Sequence, residues 1–319
     1  MKKILAVLLV IALIVSFAAC GGGGNQPDSG SASGEGGDQW TMGVLMKTMS
    51  DTFSNALGNA ILDHAAATYD NVDIILLDAQ ADINQQISQA EDLIARNVDI
   101  IILNAEDTVG SAVILDMAEE AGIPLIEVNT KTIGENYLSF VGSEDIEAGE
   151  MMGNHVLELL GGSGNVAVLE GIMGQSPQIY RMMGLEQTIL AADGINEVAR
   201  LTAEWQRDRA MSIVEDWLSA WPDLDAVLAH NDDMAMGALQ AAESMGRPDL
   251  IIMGVDAIPD AVEAVAAGRL TATVLQDANA QASSAVDVAY RILNGETVSR
   301  EYRIPFQLVT IENASEFIN

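Results

Sequence analysis

Cysteine, aromatic residues and basic residues are all scarce in this chain of 319 residues. The single cysteine, Cys20, excludes a fold held together by internal disulfides. Phe, Trp and Tyr make up only 4% of the residues, so an aromatic side chain at the end of a strand is a candidate functional group. Lys and Arg number 14 against 47 Asp and Glu, a formal net charge of −33. Such an acidic surface repels phosphate backbones, so we expect no nucleic-acid partner.

The few histidines give no sign of a metal or catalytic site. His64, His155 and His230 have no metal-site spacing, and no Ser-His-Asp set is visible. The glycine-rich run at 161–164 lacks the Lys-Ser/Thr of a phosphate loop and precedes a predicted strand. Residues 161–165 also offer too few oxygen side chains for Ca²⁺. We therefore expect no enzyme activity, no cofactor and no bound metal.

Residues 1–20 have the features of a secretory signal. Two lysines precede an apolar run over 4–17, and small residues lead to Cys20. The run has about 14 residues, fewer than the roughly 20 that a membrane-spanning helix needs. The segment resembles the lipidation signal of bacterial lipoproteins, although Phe17 stands where that pattern prefers Leu. The resemblance implies export and a lipid anchor on Cys20 at the extracytoplasmic face of the cell membrane. Ordinary cleavage that leaves a free thiol is the alternative.

Residues 21–39 are nearly all Gly, Ser and other small or polar residues, which predicts a flexible tether. A folded body then begins near Trp40. Its length of about 280 residues suits one large domain or two lobes. The apolar fraction of the chain, 49%, is ample for buried cores.

The body alternates short apolar runs, typical of buried parallel strands, with amphipathic helical stretches. The starts of successive runs are mostly about 25 to 30 residues apart, as in βαβ units. The predicted strands are 42–47, 73–79, 99–105, 124–129 and 138–143, then 165–171, 197–204, 226–232, 250–256, 272–277 and 304–310. The predicted helices are 52–69, 83–96, 110–121, 145–160, 178–192, 207–220, 233–245, 259–267 and 278–294. Two successive sets of this kind predict an α/β fold with two doubly wound parallel sheets.

Polar and aromatic side chains recur where these strands end, at the edge where open α/β sheets bind ligands. Carboxylates, amides and an arginine match the paired donor and acceptor character of sugar hydroxyls, and two aromatic rings suit the C–H faces of a sugar ring. Each residue also has a structural interpretation, as a helix cap, a turn residue, a packing residue or a solvated side chain. The candidate ligand-binding residues are Asp51, Phe53, Asn129, Arg181, Trp205, Asn231, Asp256 and Gln276; Asn104, Asp107, Glu204 and Asp232 lie at the same strand ends.

Three long motifs resemble the type I periplasmic sugar-binding proteins. They are VLAHNDDMAMGALQA at 227–241, IIMGVDAIPDAVEAV at 251–265 and TATVLQDANAQA at 271–282. The resemblance extends over about 42–317 and is nearest to the galactose/glucose branch, then to the ribose branch. It implies two lobes joined by three hinge crossings near 142–146, 275–278 and 303–307. The implied N-terminal lobe is 40–143 with 278–302, and the C-terminal lobe is 147–275 with 306–319.

The resemblance also implies a function. It implies that the eight candidate residues bind the ligand, with Phe53 and Trp205 stacking on opposite faces of the sugar ring. The expected protein is a monomer that captures a monosaccharide between its lobes and delivers it to an ABC permease with its ATPase. Sugar-responsive repressors share this fold, but the signal segment and the acidic charge argue against DNA binding.

Some positions depart from the galactose/glucose pattern. Gln175 and Pro177 replace a histidine and an aspartate, Gln276 replaces an asparagine, and Thr130 replaces a lysine. The first two changes argue mildly against galactose or glucose. A cyclitol such as inositol therefore remains open as the ligand, and so does a sensory role with a chemoreceptor or histidine kinase.

Overall fold

The structure, a computed structural model, describes residues 39–318. Its first sheet has strand order β11-β5-β4-β3-β1-β2, with every pair parallel. Its second sheet has order β12-β10-β9-β8-β6-β7 and is parallel except for β12, which runs antiparallel to β10. The strands are β1 (Trp40–Met46), β2 (Val72–Asp78), β3 (Ile100–Leu103), β4 (Leu125–Val128), β5 (Ser139–Gly142), β6 (Gly164–Glu170), β7 (Ile195–Thr202), β8 (Ala226–Ala229), β9 (Ile251–Asp256), β10 (Ala272–Leu275), β11 (Glu301–Arg303) and β12 (Gln307–Thr310).

Helices cover both faces of each sheet. In β1, Val44 and Met46 pack into one apolar cluster and Leu45 packs into another, because successive side chains of a strand point to opposite faces. Both faces of such a sheet are buried, which explains the continuous apolar runs in the sequence. The helices are α1 (Thr52–Thr68), α2 (Ile83–Ala95), α3 (Ala112–Ala121), α4 (Asp145–Leu159), α5 (Ser176–Gln187), α6 (Arg207–Ala220), α7 (Asp232–Ser244), α8 (Pro259–Ala266) and α9 (Ala278–Leu293).

Within residues 39–318 the chain passes from one sheet to the other three times. The first passage follows β5, since α4 packs with the second sheet. The second follows β10, since α9 packs with α1 and the first sheet. The third lies between β11 and β12, which belong to different sheets. The predicted class, two doubly wound α/β lobes joined by a three-crossing hinge, is therefore confirmed, while the lobe boundaries given above stay a prediction.

Several local predictions were wrong. The short strand β11 was not predicted, and the last strand begins at Gln307 rather than at 304. The helix predicted from 178 begins at Ser176 and ends at Gln187, followed by a 3₁₀ turn at Ile189–Ala191. The signal segment 1–20 with Cys20, and nearly all of the tether, lie outside the described residues. Within the described part of the chain, no helix is both long enough and apolar enough to cross a membrane.

Candidate functional site

The eight candidate residues all line one cavity of about 280 Å³ between the two lobes. Phe53 packs with the core of the first lobe, and Trp205 packs with that of the second, so each lobe contributes one aromatic wall. Lys47, Ser54 and Pro177 line the same cavity and were not among the candidates. The carboxyl ends of the strands thus bring these side chains together, as the rule for open α/β sheets predicts.

Asp51 and Asn231 cap helices and also line the cavity. Asp51 Oδ1 accepts the backbone N–H of Ser54 at 2.7 Å at the start of α1, and Asn231 Oδ1 accepts that of Met234 at 3.0 Å at the start of α7. The second oxygen of Asp51, Oδ2, is buried and has no hydrogen-bond partner among the described residues. Asp51 is therefore the helix cap of the structural interpretation, and Asn231 caps a helix rather than forming a turn, while the second oxygen of Asp51 keeps its capacity to accept a hydrogen bond.

Arg181, on α5, is held rigidly at the floor of the cavity. Its Nε donates to Asp145 Oδ1 at 2.9 Å, and its Nη2 donates to Gln276 Oε1 at 2.9 Å. Its Nη1 donates to the backbone carbonyl of His230 and lies 3.9 Å from Asp256 Oδ1. Because these partners fix the guanidinium, its remaining N–H groups point in fixed directions. A fixed N–H group favours recognition of an oxygen atom at one position. Arg181 is therefore not the solvated helix residue of the alternative interpretation.

Asp256 is a second buried carboxyl group beside this guanidinium, after Asp145, and it lines the cavity. Burial raises its pKa well above the ordinary value for aspartate, and Arg181 opposes that shift. The backbone of Asp256 has φ of 124°, and Asn129 and Trp205 have φ of 63° and 65°. Such conformations cost about 1–3 kcal/mol each for residues other than glycine. Three cavity-lining residues thus hold backbone conformations that are uncommon outside glycine.

Gly171 supports the ring of Trp205. A Cβ atom on Gly171 would overlap the indole ring, so only glycine leaves space for the ring in this position. The indole Nε1 donates to Gln175 Oε1 at 2.8 Å. Lys47 Nζ lies 5.3 Å from the centre of the ring, within the range of a cation–π contact. The orientation of Trp205 is thus fixed from several sides.

The two lobes are in direct contact around the cavity, so the structure shows a closed arrangement. Thr108 donates its backbone N–H to the carbonyl of Gly174 at 3.0 Å, and Lys131 donates its backbone N–H to Ser176 Oγ at 2.9 Å. Gln175 lies between Gly174 and Ser176 in the sequence and contacts the first lobe through its side chain. Its Oε1 accepts from Lys47 Nζ at 3.2 Å, and its Nε2 donates to Glu106 Oε1 at 2.9 Å.

The other polar residues at the strand ends have structural partners. Asn104 donates to the carbonyl of Val128 and to Thr130 Oγ1, which fixes the loop that carries Asn129. Asp232 accepts from Thr273 Oγ1 at 2.7 Å and from the backbone N–H of Ile258 at 3.0 Å. Neither Asn104 nor Asp232 lines the cavity, and the same is true of Asp107 and Glu204.

No arrangement in the described part of the chain suggests metal chemistry. Among residues 39–318, no group of three or more His, Cys, Asp or Glu side chains is placed to hold a metal ion. Burial lowers the pKa of His230 to about 3, and neither ring nitrogen of this residue has a hydrogen-bond partner among the described residues. His230 is therefore neutral at pH 7. The expected absence of metal and cofactor stays a prediction.

Comparisons with known proteins give the family. A family model described as a periplasmic binding protein domain matches residues 42–297. A protein of Rhizobium meliloti whose name assigns it rhizopine binding is 38% identical over 286 residues, 87% of this chain and 92% of that protein. The ribose import binding protein of Bacillus subtilis is 30% identical over 310 residues, 97% of this chain and 99% of the relative.

A crystal structure from Bacillus halodurans is similar in both fold and sequence. It is an ABC transporter solute-binding protein with bound myo-inositol, superposes with a TM-score of 0.84 and is 40% identical. The match covers 88% of this chain and 97% of that one. The chain therefore belongs to the type I periplasmic binding proteins, as an extracytoplasmic, non-enzymatic solute-binding protein of an ABC transporter for a sugar or polyol.

Proposed function

We propose that this protein captures a cyclitol such as myo-inositol and delivers it to an ABC-type importer. The observation that carries the proposal is the cavity, whose polar walls come from both lobes and whose aromatic side chains come from one lobe each. The similarity to a solute-binding protein with bound myo-inositol supports the choice of ligand class.

The chemistry of the cavity suits a ring that carries a hydroxyl on every carbon. Asp51 Oδ2 is a buried acceptor without a partner, and Gln276 Nε2 is a buried donor without one, among the described residues. Leaving such groups unpaired costs about 1–3 kcal/mol each, which hydroxyls that donate and accept would recover. Phe53 and Trp205 would cover the C–H faces of the ring. The remaining proposed ligand groups are Asn129, Arg181, Asn231 and Asp256.

A monosaccharide is the second candidate. The similarity to a ribose import binding protein favours it, as does the motif resemblance to the galactose/glucose branch. Against an aldohexose stand the cavity-lining residues Pro177 and Gln276, which differ from that branch. Gln276 in particular uses its Oε1 to accept from Arg181, so its amide offers a ligand only the Nε2 donor.

The proposed mechanism is hinge closure between an N-terminal lobe of 40–143 with 278–302 and a C-terminal lobe of 147–275 with 306–319. A ligand that contacts both lobes favours the closed form, because it gains its full set of contacts only there. The ABC permease and its ATPase would receive the ligand from this form, and a lipid on Cys20 would keep the monomeric protein at the membrane. Presentation of the same closed form to a chemoreceptor or sensor kinase is the alternative use.

Calorimetric titration against myo-inositol, other cyclitols, ribose, galactose and glucose tests this proposal. We expect a cyclitol to bind with a micromolar or lower Kd, about −8 kcal/mol, and the aldoses at least tenfold more weakly. Trp205→Ala and Asp256→Ala should each weaken that binding at least tenfold without changing the fold, as judged by circular dichroism. Tighter binding of an aldose would favour the second candidate, and unchanged affinity in both variants would contradict the proposed site.

A further inference from the structure

Gln175 is buried beside the cavity without lining it. Its side chain is 1% exposed, at the residue that precedes α5. The galactose/glucose branch has histidine at this position, so the motif resemblance implies an altered ligand contact there. The structure instead gives the Gln175 amide protein partners on both of its ends.

These partners come from both lobes. Lys47, after β1, and Glu106, after β3, belong to the first lobe, whereas Gln175 and Trp205 belong to the second. Of the four residues, Lys47 and Trp205 line the cavity. Opening of the lobes would separate Gln175 from Lys47 and Glu106, so two of its three side-chain hydrogen bonds exist only in the closed arrangement.

The orientation of the amide follows from its partners. The ammonium of Lys47 and the indole N–H of Trp205 are both donors, so the group between them must be the carbonyl oxygen of Gln175. The NH₂ group therefore faces Glu106, which accepts. Lys47 is buried, and none of the described carboxylates lies within ion-pair distance of its ammonium. Gln175 is accordingly the polar group that holds this buried cation in place.

We propose that Gln175 is a positioning residue that couples closure of the lobes to the final shape of the binding cavity. When the lobes close, its amide engages Glu106 and fixes both Lys47 and Trp205 in the orientations that a bound polyol meets. The inference rests on the proposed function, since it concerns the same cavity. Gln175 contributes to ligand affinity without touching the ligand, and its contribution is to slow the release of ligand from the closed form.

Gln175→Leu tests the inference by removing both ends of the amide at similar volume. We expect at least a tenfold loss of affinity for the polyol that the wild-type protein binds, mostly as faster dissociation in stopped-flow fluorescence. The melting temperature of the ligand-free protein should change little, because the contacts with the first lobe form only on closure. A residue with a merely structural role would lower that melting temperature and leave the dissociation rate unchanged.

A matched control lies one helical turn away. Gln178, also buried, donates its Nε2 to Glu170 Oε1 at 2.9 Å and accepts the backbone N–H of Gly174 with its Oε1 at 3.3 Å, so both ends of its amide have partners, as in Gln175. Its partners all belong to the second lobe, and none of these residues lines the cavity. Gln178→Leu should therefore leave the affinity and the dissociation rate within about threefold of the wild-type values, less than 1 kcal/mol.

A double variant that exchanges the side chains at positions 175 and 106 tests whether affinity can be restored. The double variant Gln175→Glu with Glu106→Gln keeps an acceptor facing Lys47 and Trp205 and places the NH₂ donor at position 106. We expect its affinity to lie within about threefold of wild type, well above that of Gln175→Leu. Wild-type affinity in Gln175→Leu, or a swap variant as weak as Gln175→Leu, would overturn the inference. A wild-type protein that binds no polyol would instead overturn the proposed function.

Discussion

The contact between Gly171 and Trp205 controls one wall of the cavity. Gly171→Ala introduces a Cβ atom that overlaps the indole ring, so the ring must move into the cavity or the loop must shift. We expect the variant to remain folded, because Trp205 borders the cavity and its ring can be displaced into that space. It should bind its polyol at least tenfold more weakly, about 1.4 kcal/mol, in calorimetry.

A double-mutant cycle separates this steric effect from general damage to the loop. In a Trp205→Ala background the ring is absent, so adding Gly171→Ala should have almost no further effect on affinity. Contacting residues of this kind show interaction energies of about 0.5–3 kcal/mol. Independent, additive losses from the two substitutions would contradict the proposed role of Gly171.

Single residues also show what the sequence alone could predict of the site. The eight candidates were found because their side chains follow strand ends and because the motifs resemble a family. Lys47 was missed, since a lysine that ends an apolar strand is usually solvated; here it is 5% exposed. The contacts of Gln175 were also missed, because no local pattern in the sequence shows that its hydrogen-bond partners lie at positions 47, 106 and 205.

At the scale of the helix, Asp51 combines two tasks that a substitution can separate. Asp51→Asn keeps an oxygen to cap α1 but replaces the unpaired Oδ2 with a donor. We expect the free energy of unfolding to change little and the polyol affinity to fall at least tenfold. Asp51→Ala should lose the affinity and also about 1 kcal/mol of stability, because the cap is gone. Chemical denaturation and calorimetry measure the two effects separately.

Asp82 is the matched control for this experiment. Its Oδ1 caps α2 by accepting the backbone N–H of Asn84 at 2.8 Å, and Asp82 does not line the cavity. Asp82→Ala should therefore reduce stability by a similar amount and leave ligand affinity unchanged. If Asp51→Asn bound its polyol as tightly as the wild type, Asp51 would be a cap and nothing more.

Strands and helices were predicted well where apolar residues repeat, and poorly where they do not. All four residues of β3 are fully buried, so their sequence, Ile-Ile-Ile-Leu, identifies the strand directly. β11 has the sequence Glu-Tyr-Arg with both charged residues exposed, and its partner β5 lies about 160 residues earlier in the chain. The strand predicted to end at Glu204 ends at Thr202, because Glu204 and Trp205 turn with positive φ.

At the scale of the whole molecule, we propose that Cys20 determines where the protein resides. Cys20→Ala removes the thiol to which a lipid would be attached. We expect the variant protein to leave the membrane fraction and to lose incorporation of a labelled fatty acid. Exported wild-type protein that carries no label, or a Cys20→Ala variant that still fractionates with membranes, would contradict lipidation.

The third passage between the sheets has a consequence for biogenesis. β11 completes one edge of the first sheet and β12 one edge of the second, and both follow all the other strands of the described residues in sequence. A chain that is exported N-terminus first therefore exposes an unpaired strand edge in each sheet until β11 and β12 have also been exported. Open edges of this kind pair with other chains or attract proteases. The segment that holds β11 and β12 thus sets the moment at which both lobes become protected together, so its deletion would harm the two lobes at once.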